Sequence, residues 1–429
     1  MSTRRIEVDL LTRVEGEGAL DIEIENGGLK TAHLRIFEPP RFFEALLRGR
    51  DYAEIPDITA RICGICPIAY QMGAVQAVER AFGADIPAAM RDLRRLLYCG
   101  EWIESHALHV VMLHAPDFCG LPDGIALARE QPGIVRAGLA LKKTGNALMR
   151  VIGGREIHPV NLRPGGVFRL PTRAELAALA PALEEGRETA IRLFRWAAAL
   201  PFPEVERDYE FVALRHGGEY PITAGRLASS RGLDIDIGDF ETEFEERQVT
   251  HSTALHALRR NGGAYLTGPL ARYALNSNLL PETAKTLAEE AGLGPVCRNP
   301  YKSILVRCLE MLFACEEALR LIAAYTPPAE AFQPLTPRAA TGFGCTEAPR
   351  GICWHRYDFA GDGSVLAARI VAPTTQNQPA IEEDLVALVG GMLAAPDDAI
   401  RAAAEAAIRN HDPCISCATH FLRLSVRRA

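Results

Sequence analysis

No stretch of the 429-residue sequence is apolar for long enough to cross a bilayer. The best candidate, Ser303 to Tyr325, is broken by Arg307, Glu310, Glu316, Glu317 and Arg320, whereas a spanning helix needs about 20 predominantly apolar residues. It reads as an amphipathic or buried helix. The opening residues, MSTRRIEVDLLTRVEGEG, lack the apolar core of a signal peptide. A cytoplasmic location with no membrane span is therefore expected. Gly-x-Gly-x-x-Gly is absent, so no nucleotide site is expected in this chain. An excess of positive charge is missing too. The formal net charge is −7, which gives no electrostatic reason to expect nucleic acid or an anionic membrane as partner. Internal repeats, low-complexity tracts and long linkers are also lacking.

What is present is ordinary globular composition, 48% hydrophobic and 24% charged, enough for a large core. Ile6, Val8 and Leu10 alternate as in a strand. Ala19 to Glu25 and Ala32 to Phe37 continue the pattern around an Asn26-Gly27-Gly28 turn. FFEALLRGR reads as a short helix. Helical apolar spacing covers Ala69 to Phe82, Ala88 to His114, Pro132 to Ile152, Arg173 to Leu200, Glu282 to Ala291, Tyr301 to Ala324, Ile381 to Ala394 and Pro396 to Arg409. Ile352 to Ile370 reads as two strands around Gly361-Asp362-Gly363. The fold class expected is α+β, predominantly helical: one domain over residues 1–429, with long central helices and small peripheral sheets.

Eleven cysteines in a reducing compartment point to metal or redox chemistry more than to disulfides. Two pairs share one spacing: Cys63 and Cys66 in RICGICP, Cys414 and Cys417 in DPCISCATH. A separation of three lets both sulfurs face one side of a tight turn. Four thiolates form a soft site suited to zinc, iron–sulfur or other thiophilic metals. A zinc ribbon uses two such pairs separated by ~15–20 residues. Here most of the chain intervenes, but distant pairs can meet in a fold, so spacing leaves zinc open. Neither pair sits in an obvious βαβ unit, which disfavours independent redox dithiols. The other seven, Cys99, Cys119, Cys297, Cys308, Cys315, Cys345 and Cys353, form no iron–sulfur ligand run and read as structural.

The residues around the pairs carry more. ARICGICP and DPCISCATH resemble the two signature motifs of nickel–iron hydrogenase large subunits. RVEGEG at Arg13 to Gly18 and EAPRG at Glu347 to Gly351 resemble two further family motifs, in the family's order. The resemblance implies nickel held by all four cysteines, with Cys63 and Cys414 terminal. It implies iron bridged by Cys66 and Cys417 and carrying cyanide and carbon monoxide. It implies heterolytic cleavage of H2, which needs a Lewis-acidic metal and a nearby base. Cys414 is the expected first base.

By the same resemblance, Glu15 would relay protons, although by itself it reads as a solvated glutamate between strands. Arg350 would lie over the iron's diatomic ligands, its approach stiffened by Pro349; its plain reading is a surface salt bridge. Asp117 and Asp412 match carboxylates packed near that arginine, though either suits a cap. Glu44 and His420 match ligands of a separate magnesium or iron ion. His106, His109 and His114 are spaced poorly for a three-ligand set and read as core. One departure stands out: where many members have histidine four residues after the second cysteine, this chain has Tyr70, which cannot titrate near neutral pH.

The continuation PIAYQ and the short length are more similar to the cytosolic, NAD(P)-linked sulfhydrogenase-like members than to the uptake type. Residues 421–429 match an extension that a maturation protease removes. Without iron–sulfur ligands of its own, the chain would need an iron–sulfur small subunit, with flavin and NAD(P) diaphorase subunits beyond. Two other readings compete. A complex I-like subunit shares the fold but not the cysteines, and a structural zinc protein would hold one zinc.

Overall fold

The computed structural model describes residues 3–420; the expected extension, 421–429, lies outside the described residues. Strands β1 (Thr3–Val8), β2 (Gly18–Glu25) and β3 (Gly28–Ile36) pair antiparallel in that order. Ile6 faces Ile22 and Leu20 faces Leu34, all buried. Asn26 and Gly27 take positive φ of 51° and 78°, the backbone twist a two-residue hairpin needs. Leu10 does not extend the apolar face as expected. β1 ends at Val8, Leu10 is 55% exposed, and Leu11 turns inward instead, its N–H bonded to the Gly18 carbonyl.

The helices form the body. They are α1 (Phe43–Leu47), α2 (Pro67–Phe82), α3 (Ala88–Leu108), α4 (Pro132–Gly153), α5 (Ala180–Ala198) and α6 (Ser303–Ala324), followed by α7 (Pro373–Gly390), α8 (Asp397–Arg409) and α9 (Ile415–Ala418). α3 packs along α4 and α6, and α6 along α5. Among the described residues no helix is long and apolar enough to cross a membrane. α6 keeps its charges inside: Arg307 and Glu310 are buried among apolar neighbours and find partners there.

Three expected helices differ in detail. Ala88 to His114 is helical throughout, but His109–His114 widens into a π-helical turn just before Pro116, whose missing N–H cannot continue the regular ladder. Arg173 to Leu200 divides: Thr172 and Glu175 form a capping box on Arg173–Ala177, and Pro181 opens α5. α7 starts eight residues before the expected Ile381. Its first turns, PTTQNQPA, are polar with an internal proline, yet fully buried, because Gln376 donates to the Ile352 carbonyl and Asn377 to that of Arg350.

The expected hairpin is present as β7 (Gly351–Phe359) and β8 (Val365–Val371), and an unforeseen strand, β6 (Ala340–Ala348), pairs with β7. α2 lies directly on β6. A Cβ on Gly344 would come within 2.0 Å of the Gly73 carbonyl oxygen, so the two backbones touch only because glycine is there.

Candidate metal centre

Two turns from opposite ends of the chain meet in the core. Cys63 and Cys66 lie in the turn entering α2, with Cys66 at its N-cap and Pro67 in its first turn. The N–H groups of Ile65 and Cys66 donate to Cys63 Sγ at 3.3 and 3.4 Å. Cys414 precedes α9 and Cys417 sits within it. Asp412 takes a left-handed φ of 52°, a conformation aspartate tolerates better than most residues, and this turns the chain back toward α2. Cys414 N–H donates to Thr374 Oγ1 at 2.9 Å, fixing this turn to the start of α7.

The sulfurs converge. Cys63 to Cys414 is 3.4 Å, Cys66 to Cys417 is 3.4 Å, Cys414 to Cys417 is 2.7 Å, and all four lie within 4.8 Å of one another. Each is a buried free thiol. Four sulfurs each about 2.3 Å from a shared metal would stand about 3.8 Å apart, so this set closes on a thiophilic ion with small outward shifts. Hydrogen bonds from the other cysteines, Cys414 foremost, hold Cys63 well below the usual thiol range. Burial pushes Cys414 well above it.

Glu15 reaches the sulfurs from the segment between β1 and β2. Its carbonyl accepts the Ile415 N–H at 2.9 Å. Its Oε2 accepts from Cys414 Sγ at 3.0 Å and Ser416 N–H at 3.1 Å, and Oε1 from Ser416 Oγ. Being half-buried, it lies between a cysteine and solvent.

Arg350 is no surface arginine. Only 3% exposed, it donates from Nε to the Asp412 carbonyl at 2.8 Å, from Nη2 to Asp412 Oδ1 at 3.1 Å and from Nη1 to Ser105 Oγ at 3.3 Å. Burial disfavours the guanidinium, but Asp412 and the cysteine sulfurs outweigh it and keep Arg350 firmly charged. Burial pushes Asp412 above the ordinary carboxylate range. Asp117, expected beside Arg350, has its hydrogen bonds elsewhere. It accepts from Arg13 at 2.5 Å and from Arg409 Nε and Nη2 at 2.8 Å, because the end of α8 brings Arg409 between Asp117 and the N-terminal segment. Arg409 also donates to the Thr12 carbonyl at 3.3 Å.

Glu44 of α1 and His420 also meet. Glu44 Oε1 accepts the Ile370 N–H at 2.8 Å and lies 3.8 Å from His420 Nε2, which is 2.5 Å from the Ile370 carbonyl oxygen. Tyr70 is buried and donates to the Cys417 carbonyl at 3.4 Å rather than to a sulfur. The three helix histidines take separate partners, His106 bonding to Glu310, His109 to the Arg409 carbonyl and His114 to Asn410, although the His109 and His114 rings lie 4.9 Å apart.

Two supports had no readable signal in the sequence. Buried Glu101 accepts the N–H groups of Ile68 and Ala69 at 2.6 and 3.2 Å, closing the first turn of α2 beside Cys66. Fully buried Arg272 pairs with Glu310 and Glu347 and donates to the carbonyls of Ala348 and Pro349 at 2.8 and 2.9 Å, fixing the loop that aims Arg350. Both depend on contacts between distant segments, which local pattern does not reveal.

A helical body with small sheets, and a buried pocket of four thiols drawn from both chain ends, has the build of a protein that could hold a thiophilic metal ion. A sequence model described as nickel-dependent hydrogenase matches residues 41–130 and 296–420, which contain both cysteine pairs. The chain is 34% identical over 430 residues to sulfhydrogenase 2 subunit alpha of Pyrococcus furiosus, covering 98% of this chain and 100% of that one. It is 33% identical to sulfhydrogenase 1 subunit alpha of the same organism, covering 98% of each. A crystal structure of NAD+-reducing [NiFe]-hydrogenase in the H2-reduced state superposes with a TM-score of 0.88 at 28% identity, covering 98% of this chain and 100% of that one. The chain belongs to the nickel-dependent hydrogenase family, oxidoreductases acting on H2. The zinc-protein and complex I-like readings give way to that membership.

Proposed function

We propose that this chain is the catalytic large subunit of a nickel–iron hydrogenase, interconverting H2 with two protons and two electrons. The observation that carries the reading is the Glu15 carboxylate at 3.0 Å from Cys414 Sγ, at the edge of the four-sulfur pocket. The all-sulfur donor set fits a nickel–iron centre: Cys63, Cys66, Cys414 and Cys417 would hold it, and its iron would carry cyanide and carbon monoxide. Bound there, such a centre supplies the Lewis acid that polarises H2 and takes up its electrons.

The chain's own groups handle the proton and the surroundings. Cys414 accepts a proton at Sγ and passes it to Glu15 Oε2, whose other oxygen is held by Ser416. Glu15 then releases it toward solvent. Arg350, held by Asp412, presents fixed N–H donors beside the pocket, with Pro349 restricting its loop. Asp117 is a positioning residue: through Arg13 and Arg409 it steadies the segment that carries Glu15. Glu44, the Ile370 carbonyl and His420 would hold magnesium or ferrous iron, anchoring the C-terminal turn against β8.

The electrons would leave through an iron–sulfur small subunit, a partner supported by relatives that are alpha subunits. Flavin and NAD(P) diaphorase subunits beyond it are supported by the likeness to an NAD+-reducing enzyme. Removal of residues 421–429 by a maturation protease and a cytoplasmic location complete the reading. The test is isotope exchange. Heterolytic cleavage by the nickel-loaded assembly converts D2 in H2O to HD; no HD from metal-replete protein would contradict it.

A further inference from the structure

A second group of metal-binding side chains lies outside the thiolate pocket and has no part in the hydrogen chemistry above. His33 stands on β3. His251 lies between β4 (Phe244–Gln248) and β5 (Leu255–Arg259), and Glu382 is on α7. α7 packs across β3 and β5, which brings the three together from positions far apart in sequence. The two imidazoles stack, with centroids 3.9 Å apart and planes 17° from parallel, so one ring must swing out of the stack for both nitrogens to point at one ion. His251 Nε2 is 2.8 Å and His33 Nδ1 3.5 Å from Glu382 Oε1, and the ligand atoms all fall within 4.8 Å of one another.

Three features separate this cluster from an ordinary buried histidine pair. His33 Nδ1 is shielded from solvent and makes no hydrogen bond, standing 3.5 Å from Glu382 Oε1. Among the described residues, no arginine or lysine pairs with Glu382; only the two imidazoles and the Leu34 N–H reach it. The side chains of His33, His251 and Glu382 are 33, 21 and 16% exposed, so a solvated ion has a way in and an open side remains. In a tetrahedral site with bonds of about 2.0–2.1 Å, neighbouring ligand atoms stand about 3.3 Å apart. The 2.8 and 3.5 Å separations bracket that value.

We propose that His33 Nδ1, His251 Nε2 and a Glu382 oxygen form a second metal site, taking one borderline divalent transition cation of the zinc class, with a solvent-facing fourth position. Two nitrogens and a carboxylate suit such ions better than calcium or magnesium, which prefer all-oxygen shells. The ion supplies the missing countercharge for Glu382 and ties β3, the β4–β5 turn and α7 together.

The probe is Zn2+, titrated calorimetrically into the assembled holoenzyme, whose thiolate pocket is already filled. One further zinc per chain is expected. X-ray absorption at the zinc edge should show a first shell of nitrogen and oxygen at about 2.0–2.1 Å. His251→Gln and Glu382→Gln should each weaken binding at least about tenfold, the least that loss of a direct ligand should cost. Their unchanged H2 oxidation before zinc addition would report an intact fold. No zinc uptake by the wild type, sulfur in the zinc shell, or equal affinity in both variants would overturn the proposal. The absorption measurement needs only the wild-type protein, so it decides even if a variant fails to fold.

Discussion

Glu15 and Cys414 are 399 positions apart in sequence, yet the Cys414 sulfur lies 3.0 Å from the Glu15 carboxylate. The contact closes the chain on itself: the N-terminal segment runs beside the C-terminal turn, and the Ile415 N–H binds the Glu15 carbonyl. It places a carboxylate oxygen of a half-buried side chain at an edge of the sulfur pocket.

Glu15→Gln keeps the shape, its amide oxygen still able to accept from Cys414 and the Ser416 N–H and its NH2 able to donate to Ser416 Oγ, but it removes the proton-carrying carboxylate. H2 oxidation should fall by about 10²–10⁴-fold, the usual contribution of a positioned acid or base. Nickel and iron content should be unchanged. Wild-type turnover in the variant would remove Glu15 from the proton route.

Arg272 is fully buried against Glu310 and Glu347. Arg272→Met leaves both carboxylates without their cation, and breaking a buried pair in this way costs about 3–5 kcal/mol. Denaturant unfolding should show that loss, and a midpoint equal to wild type would contradict it.

Gly344→Ala tests the contact of α2 with β6. The added methyl would meet the Gly73 carbonyl at 2.0 Å, backbone against backbone with no side chain to move aside. Overpacking of this kind costs about 1–3 kcal/mol or more, so the melting temperature should fall. Gly361→Ala, where nothing lies within 4 Å, is the control.

The buried histidines set an acid limit. Burial pushes His106 down to about 4 and His114 to about 3, against about 6.5 in an unfolded chain. Below 6.5 the unfolded state takes up these protons while the folded state does not. The share of stability from these two histidines is therefore complete above about pH 6.5 and is lost as pH falls toward 4 and 3, while buried Glu347, pushed up to about 7, acts in the opposite sense. A His114→Gln variant whose folding free energy varies between pH 7 and 4.5 just as the wild type's does would contradict this.

The sequence displays some of this architecture and conceals the rest for physical reasons. The cysteine pairs, RVEGEG and EAPRG are local, so the pocket's ligands and its arginine are legible as text. Helices with one apolar stripe, such as α4, announce themselves by period. The first turns of α7 do not: that buried polar start serves the Arg350 and Ile352 carbonyls, and Pro379 reads as a breaker. β6 is hidden by Gly342 and Gly344, which weaken a strand signal but admit the backbone of α2. Asp117 is visible as a motif residue, but its partners Arg13 and Arg409 depend on where α8 ends in space. Arg272 and Glu101 carry no motif at all. Their roles arise from long-range approach, which no window of neighbouring residues encodes.

On the proposed reading, the four converging cysteines hold a nickel–iron centre with diatomic ligands on the iron. The most direct measurement is the infrared spectrum of the purified, metal-loaded assembly, taken with its nickel and iron content. Bands from metal-bound carbon monoxide and cyanide, in a region where protein groups do not absorb, are expected together with one nickel per chain. Both should be lost in Cys66→Ser. A thiolate site filled by zinc, with no such bands, would contradict it.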